Sequence, residues 1–172
     1  MRITTITGAA ALFALSLSTS LMAQRTDAQI DPKSLALLQE GKAAQAAGNL
    51  DAAQDAIEIA LVVDPRNRQA FVVLGDISQS RGLPGKAIRL SREALALEPN
   101  DVGAIRGQGE ALVAKGAIEK AKENLTKLRA ICGAGCTDAN QLATAIAKGP
   151  PVTTAAQAAP TTAPTPAPTA KP

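Results

Sequence analysis

Cys132 and Cys136 carry the most nucleophilic side chains of the sequence, and they are its only cysteines. Three residues separate them, Gly133 and Gly135 among these. In an oxidising compartment such a pair closes as a structural disulfide, tying a helix end to whatever follows. The alternative is a thiol-disulfide redox centre. That chemistry is usually built on Cys-x-x-Cys at a helix N-terminus, and this spacing is one residue longer and follows a helical stretch. A metal centre would need more ligands, and the chain has no His. Without His it also lacks the commonest general base and the Ser-His-Asp arrangement. Aromatic residues make up 1% of the chain, Phe13 and Phe71 alone, so base-stacking platforms for single-stranded nucleic acid are missing. A net charge of +3 over 172 residues is too small to mark a polyanion binder. These features point to a non-catalytic protein with no cofactor, no metal site and no nucleic-acid partner.

Residues 1–23 read as a secretory signal: Arg2, an uncharged run with its apolar centre at Ala9 to Leu17, and the small Ala23 before Gln24. A retained membrane anchor is the alternative, although Ser16, Ser18, Thr19 and Ser20 dilute the second half. After cleavage no integral span is expected, and the product would be periplasmic or secreted. Residues 24–33 form a lead-in. At the other end, residues 149–172 are rich in Pro, Ala and Thr and offer no large apolar side chains to bury, which predicts a disordered tail.

Between the ends the chain repeats. Gly48, Gly82 and Gly116 recur at intervals of 34, as do Gly41, Gly75 and Gly109, and Ala53, Ala87 and Ala121. Asp64-Pro65 is answered 34 residues on by Glu98-Pro99. Small residues at fixed register suit close helix crossings; Gly48, Gly82 and Gly116 suit left-handed helix ends, and the prolines suit helix stops. Apolar residues follow helical spacing: Ile57, Ala60 and Leu61, then Ile88, Ala94 and Leu95, then Leu125 and Leu128. No strand pattern is present. Asp31-Pro32 marks a helix start, and Asp138 with Gln141 predicts a capping box opening a last helix that Leu142 and Ile146 make amphipathic. The predicted fold is all-α: helix–turn–helix units at 34–67, 68–101 and 102–131, and a Cys-clipped turn with a capping helix at 132–148.

This pattern resembles the tetratricopeptide repeat at its Gly, Ala and Asp/Glu-Pro positions. It departs where that family carries large aromatics: Leu37, Phe71 and Ile105 fill one such position, and polar Ser78 and Ser91 fill two others in the second unit. The resemblance implies a solenoid whose first helices line a concave groove for a protein or peptide. Carried over by position, the groove residues are Leu38, Lys42 and Gln45, then Gln69, Val72, Asp76 and Gln79, then Arg106, Glu110 and Val113. The Lys-and-Asn clamp with which some relatives hold a terminal carboxylate is not reproduced.

Charge drifts along the array. Residues 34–67 hold 2 basic and 5 acidic side chains, 68–101 hold 5 and 4, and 102–131 hold 6 and 3. Such polarity favours an oriented, salt-sensitive association, head-to-tail self-association between copies included. The function expected is a protein- or peptide-binding scaffold of the cell envelope. A redox protein using Cys132 and Cys136, and a structural spacer that reaches out through its tail, are the alternatives.

Overall fold

A computed structural model describes residues 30–133 and 135–151. The signal at 1–23, residues 24–29 of the lead-in and the tail from 152 onward lie outside the described residues. Seven helices follow one another: α1 (Pro32–Ala46), α2 (Leu50–Val63), α3 (Arg68–Ser80), α4 (Pro84–Leu97), α5 (Val102–Ala114), α6 (Ile118–Cys132) and α7 (Thr137–Lys148). No strand occurs among the described residues. Each helix is 12 to 15 residues long, too short to be stable alone in water, so packing of its apolar side must hold it.

The period of 34 is visible in the hydrogen bonds. At the end of α1 the Gly48 N–H donates to the Gln45 carbonyl (3.0 Å) and the Asn49 N–H to that of Ala44 (2.9 Å). At α3 the bonds are Gly82 to Gln79 and Leu83 to Ser78, both 2.9 Å; at α5 they are Gly116 to Val113 and Ala117 to Leu112, both 2.8 Å. The three glycines have φ of +78°, +71° and +76°. Each end is a Schellman turn, with glycine in the left-handed conformation that a Cβ would penalise.

The starts obey the same interval. Asn67 and Asp101 stand 34 apart, each buried, and each caps the helix after it: Asn67 Oδ1 accepts from the Ala70 N–H (3.3 Å) and Asp101 Oδ1 from the Ala104 N–H (2.6 Å). Asp31 caps α1 at the Lys33 N–H (2.7 Å), with Pro32 in the first turn as expected. The capping box expected at Asp138 and Gln141 is not formed. Cys136 takes the cap position of α7 without a side-chain bond, which puts Asp138 one residue inside the helix and frees its carboxylate for another partner.

Contacts between residues group the chain into two compact units that divide between Val73 and Leu74, within α3. In the first unit α1 packs along α2. Buried Ser34 donates its hydroxyl to the Ala60 carbonyl (2.7 Å) and accepts from Asn67 Nδ2 (2.8 Å), so a small polar network joins both helices to the cap of α3. Asp64 accepts from the Nε and Nη2 of Arg66 (3.0 and 2.9 Å) and from the Asp31 N–H (3.0 Å). Those bonds, the Arg66 side chain first, hold its carboxyl well below the usual carboxylate range. A methyl group at Gly41 would sit 2.5 Å from Ile57 Cδ1, so the glycine sets how closely α1 approaches α2.

In the second unit α4 packs on α5, and α5 and α6 both pack on α7. Ile105, Leu128, Ala139 and Leu142 form its core, with Leu95, Val102, Leu125, Cys136 and Ile146 against them. Gly109 is the counterpart of Gly41: an added Cβ would meet Leu142 Cδ2 at 2.6 Å. Gly75 differs from both, because its nearest neighbours would lie at 3.8 Å, ordinary contact distance. The close approach expected at all three therefore holds at two. Ser78 and Ser91 occupy packing sites yet are satisfied inside their own helices, bonding the carbonyls of Leu74 (2.7 Å) and Ala87 (3.0 Å). Beyond its buried side, α7 turns Thr137, Asn140, Gln141 and Thr144 to a shallow, open depression of about 430 Å³. A helix that is apolar inward and polar outward closes the end of a repeat array.

Candidate partner-binding face

Arg106, in the first half of α5, draws together side chains from three successive odd-numbered helices. Its Nε donates to Asp138 Oδ1 on α7 (3.0 Å), its Nη1 to Glu110 Oε2 one turn along α5 (3.0 Å), and its Nη2 to Asp76 Oδ2 on α3 (3.3 Å). All four groups are partly buried, the guanidinium 18% exposed and the carboxylates 20–32%. Burial pushes the Asp76 and Glu110 carboxyls up, and Arg106 only partly offsets it. Burial also acts against the charge on Arg106, but the attraction of Asp76, Glu110 and Asp138 outweighs it and raises the guanidinium further. One cation facing three carboxylates leaves an excess of negative charge on a half-buried strip. Asp138 lies in the first turn of α7, where the helix dipole favours an anion.

Three of the groove positions carried over from sequence, Asp76, Arg106 and Glu110, meet in this cluster. Gln79, one turn beyond Asp76, buries its Oε1 without a hydrogen-bond partner among the described residues. In the first unit Lys42 donates to Gln69 Oε1 (2.8 Å), and Gln45 and Val72 are half-buried. Leu38 and Val113 are not surface residues: they are 2% and 4% exposed and belong to the core. Both are aliphatic side chains, and burial outcompetes a place on the polar strip. Asp138 escaped the sequence reading because it was assigned to a cap. The signal was the period itself, since α7 begins 35 residues after α5.

Cys132 and Cys136 are bonded to each other, joining the last residue of α6 to the cap residue of α7. Among the described residues no group of three or more His, Cys, Asp or Glu is placed to hold a metal ion, and no helix is long and apolar enough to cross a membrane. Titrating the untreated protein with a thiol reagent is expected to reveal no free thiol, and two after reduction. Reduction removes about 2 kcal/mol of constraint on the unfolded chain and should lower the melting temperature. Two reactive thiols before reduction would reverse this assignment.

No family sequence model matches the chain, and no curated protein does. Solved structures match it well. The Sgt2 TPR domain from Aspergillus fumigatus is 28% identical, with a TM-score of 0.62 over 69% of this chain and 80% of that one. The first TPR of Spaghetti (RPAP3), bound to the HSP90 peptide SRMEEVD, is 21% identical, with a TM-score of 0.62 over 67% and 91%. The O-GlcNAc transferase of Thermobaculum terrenum is 28% identical, with a TM-score of 0.62 over 66% of this chain but only 22% of its own. The described helices thus share the fold of tetratricopeptide-repeat domains, all-α and built of helical hairpins. Domains of this kind among its structural neighbours bind peptides.

Proposed function

We propose that this protein is a non-catalytic scaffold of the cell envelope that holds a protein or peptide partner against the face of its second unit that carries Arg106. The observation that carries the reading is the strip formed by Asp76, Arg106, Glu110 and Asp138, which gathers side chains 30 and 32 residues apart into one polar, half-exposed surface. A neighbouring domain holds the acidic peptide SRMEEVD. Here the one arginine of the strip is already occupied by three carboxylates, so the partner suited to this surface is neutral or basic. Export follows from the residue pattern of 1–23, and the repeats are assigned to 34–67, 68–101 and 102–131.

The test is site-specific photo-crosslinking in the intact cell. A crosslinking residue is placed at Gln79 or Glu110, and as controls at Thr144 on α7 and Glu93 on α4. A discrete adduct from the first pair that is missing from the controls supports the reading. Equal adducts from all four positions, or none, overturn it.

A further inference from the structure

The imbalance of charge along the chain resides in its even-numbered helices. α1, α3, α5 and α7 are each close to neutral: Lys33 and Lys42 stand against Glu40, Arg68 against Asp76, Arg106 against Glu110, and Lys148 against Asp138. By contrast α2 carries Asp51, Asp55 and Glu58 and no basic residue. On α4 the balance is Lys86, Arg89 and Arg92 against Glu93, and on α6 it is Lys120, Lys122, Lys127 and Arg129 against Glu119 and Glu123. The acidic side chains of α2 and the basic ones of α6 are exposed. Exposed apolar residues accompany them, with Val62 82% and Ile59 50% exposed at the end of α2, and Ile131 39% exposed at the end of α6.

Spacing makes these two surfaces complementary. Asp51, Asp55, Glu58 and Val62 advance by four, three and four residues and so share one stripe of α2. Lys120, Lys127 and Ile131 share one stripe of α6. An offset of 69 residues matches Asp51 with Lys120, Glu58 with Lys127 and Val62 with Ile131 at once. Laid parallel in that register, acid meets base and the exposed apolar ends meet each other. Lys127 donates one N–H to the Pro99 carbonyl (2.7 Å), which positions it and leaves its remaining protons for a partner.

We infer that the acidic stripe of α2 is a docking surface for the basic stripe of α6 on a second copy of this chain. The contact is heterologous, the two surfaces being different, so it propagates head to tail into short chains or closes into rings. It uses the even-numbered helices and leaves the Arg106 strip open, and it stands independently of the partner proposed above.

The experiment is sedimentation velocity on the full chain over a concentration series, at about 20 mM and about 500 mM salt, across which screening rises steeply. The expected result is a mass that grows with concentration at low salt and falls to the monomer at high salt. The double variant Asp51→Lys, Glu58→Lys and the double variant Lys120→Glu, Lys127→Glu should each associate at least tenfold more weakly alone. An equimolar mixture of the two should regain the wild-type behaviour, because each reversed stripe then finds its complement. Circular dichroism on both variants verifies that helicity is kept. A monomer at every concentration in low salt overturns the inference, and so does association that neither reversal weakens. Binding of the monomer to anionic phospholipid vesicles in place of self-association would assign the basic helices to a lipid surface and overturn it equally.

Discussion

Replacing Leu142 by Ala should destabilise the protein by about 2–5 kcal/mol, the usual cost of emptying a buried leucine site. Leu142 is fully buried, and its methyl groups occupy the space that the missing side chain of Gly109 leaves on α5. Its removal leaves a cavity at the one place where α7 is keyed into the stack. The reciprocal change, Gly109→Ala, puts a methyl 2.6 Å from Leu142 Cδ2, and overpacking of this kind costs about 1–3 kcal/mol. Gly75→Ala is the control. With neighbours at 3.8 Å it should be neutral or stabilising by up to about 1 kcal/mol, because alanine is the better helix former. The chain has no Trp or Tyr, so urea titrations followed by circular dichroism are the appropriate measurement. Equal effects of Gly75→Ala and Gly109→Ala would contradict the keyed packing of α7.

Replacing Arg106 by Leu should cost about 1–3 kcal/mol at neutral pH. Breaking a fully buried ion pair costs more, and here solvent reaches the carboxylates and screens them. The variant leaves Asp76, Glu110 and Asp138 facing one another without a cation. The effect should depend on pH in a defined direction. Asp76 and Glu110 already have folded-state pKa values above the usual ones, burial being the main cause. A carboxyl shifted upward binds its proton more tightly in the folded chain. Its contribution to stability is therefore fully present below the unfolded pKa and is lost as pH rises through the folded pKa. Removing Arg106 raises both further, so the deficit of the variant should be largest near pH 7 and shrink toward pH 4. A deficit that stays constant across that range would show that Arg106 acts through packing of its stem and not through its charge.

The sequence discloses the backbone more fully than the face. Gly48, Gly82 and Gly116 could be read as helix ends because left-handed geometry demands glycine there whatever the surroundings. Asp31-Pro32 was legible for a similar reason, as a local rule about proline and a capping carboxylate. What lay hidden was set by convergence in space. Asp138 satisfies a local pattern for a cap, yet its partner is a guanidinium 32 residues earlier, and that longer-range bond decides its role. Leu38 and Val113 follow from a register transferred from the resemblance, and a shift of a single residue on a helix turns a side chain by 100° from groove to core. Ser78 and Ser91 look like packing faults in the sequence. Their hydroxyls bond carbonyls one turn back, so a small buried side chain costs little there. Asn67 and Asp101 are a case in which the signal was present: equal spacing, capping residue types and a preceding proline turn all mark the start of a helix.

The most direct measurement is the crosslinking scan over the strip around Arg106, carried out in the cell with the partner at its natural concentration. Adducts should appear from Gln79 and Glu110, disappear when Arg106 is replaced by Leu, and stay absent from Thr144 and Glu93. A pattern that is indifferent to both position and Arg106 would show that the face carrying Arg106 is an ordinary solvated surface and that the protein captures nothing there.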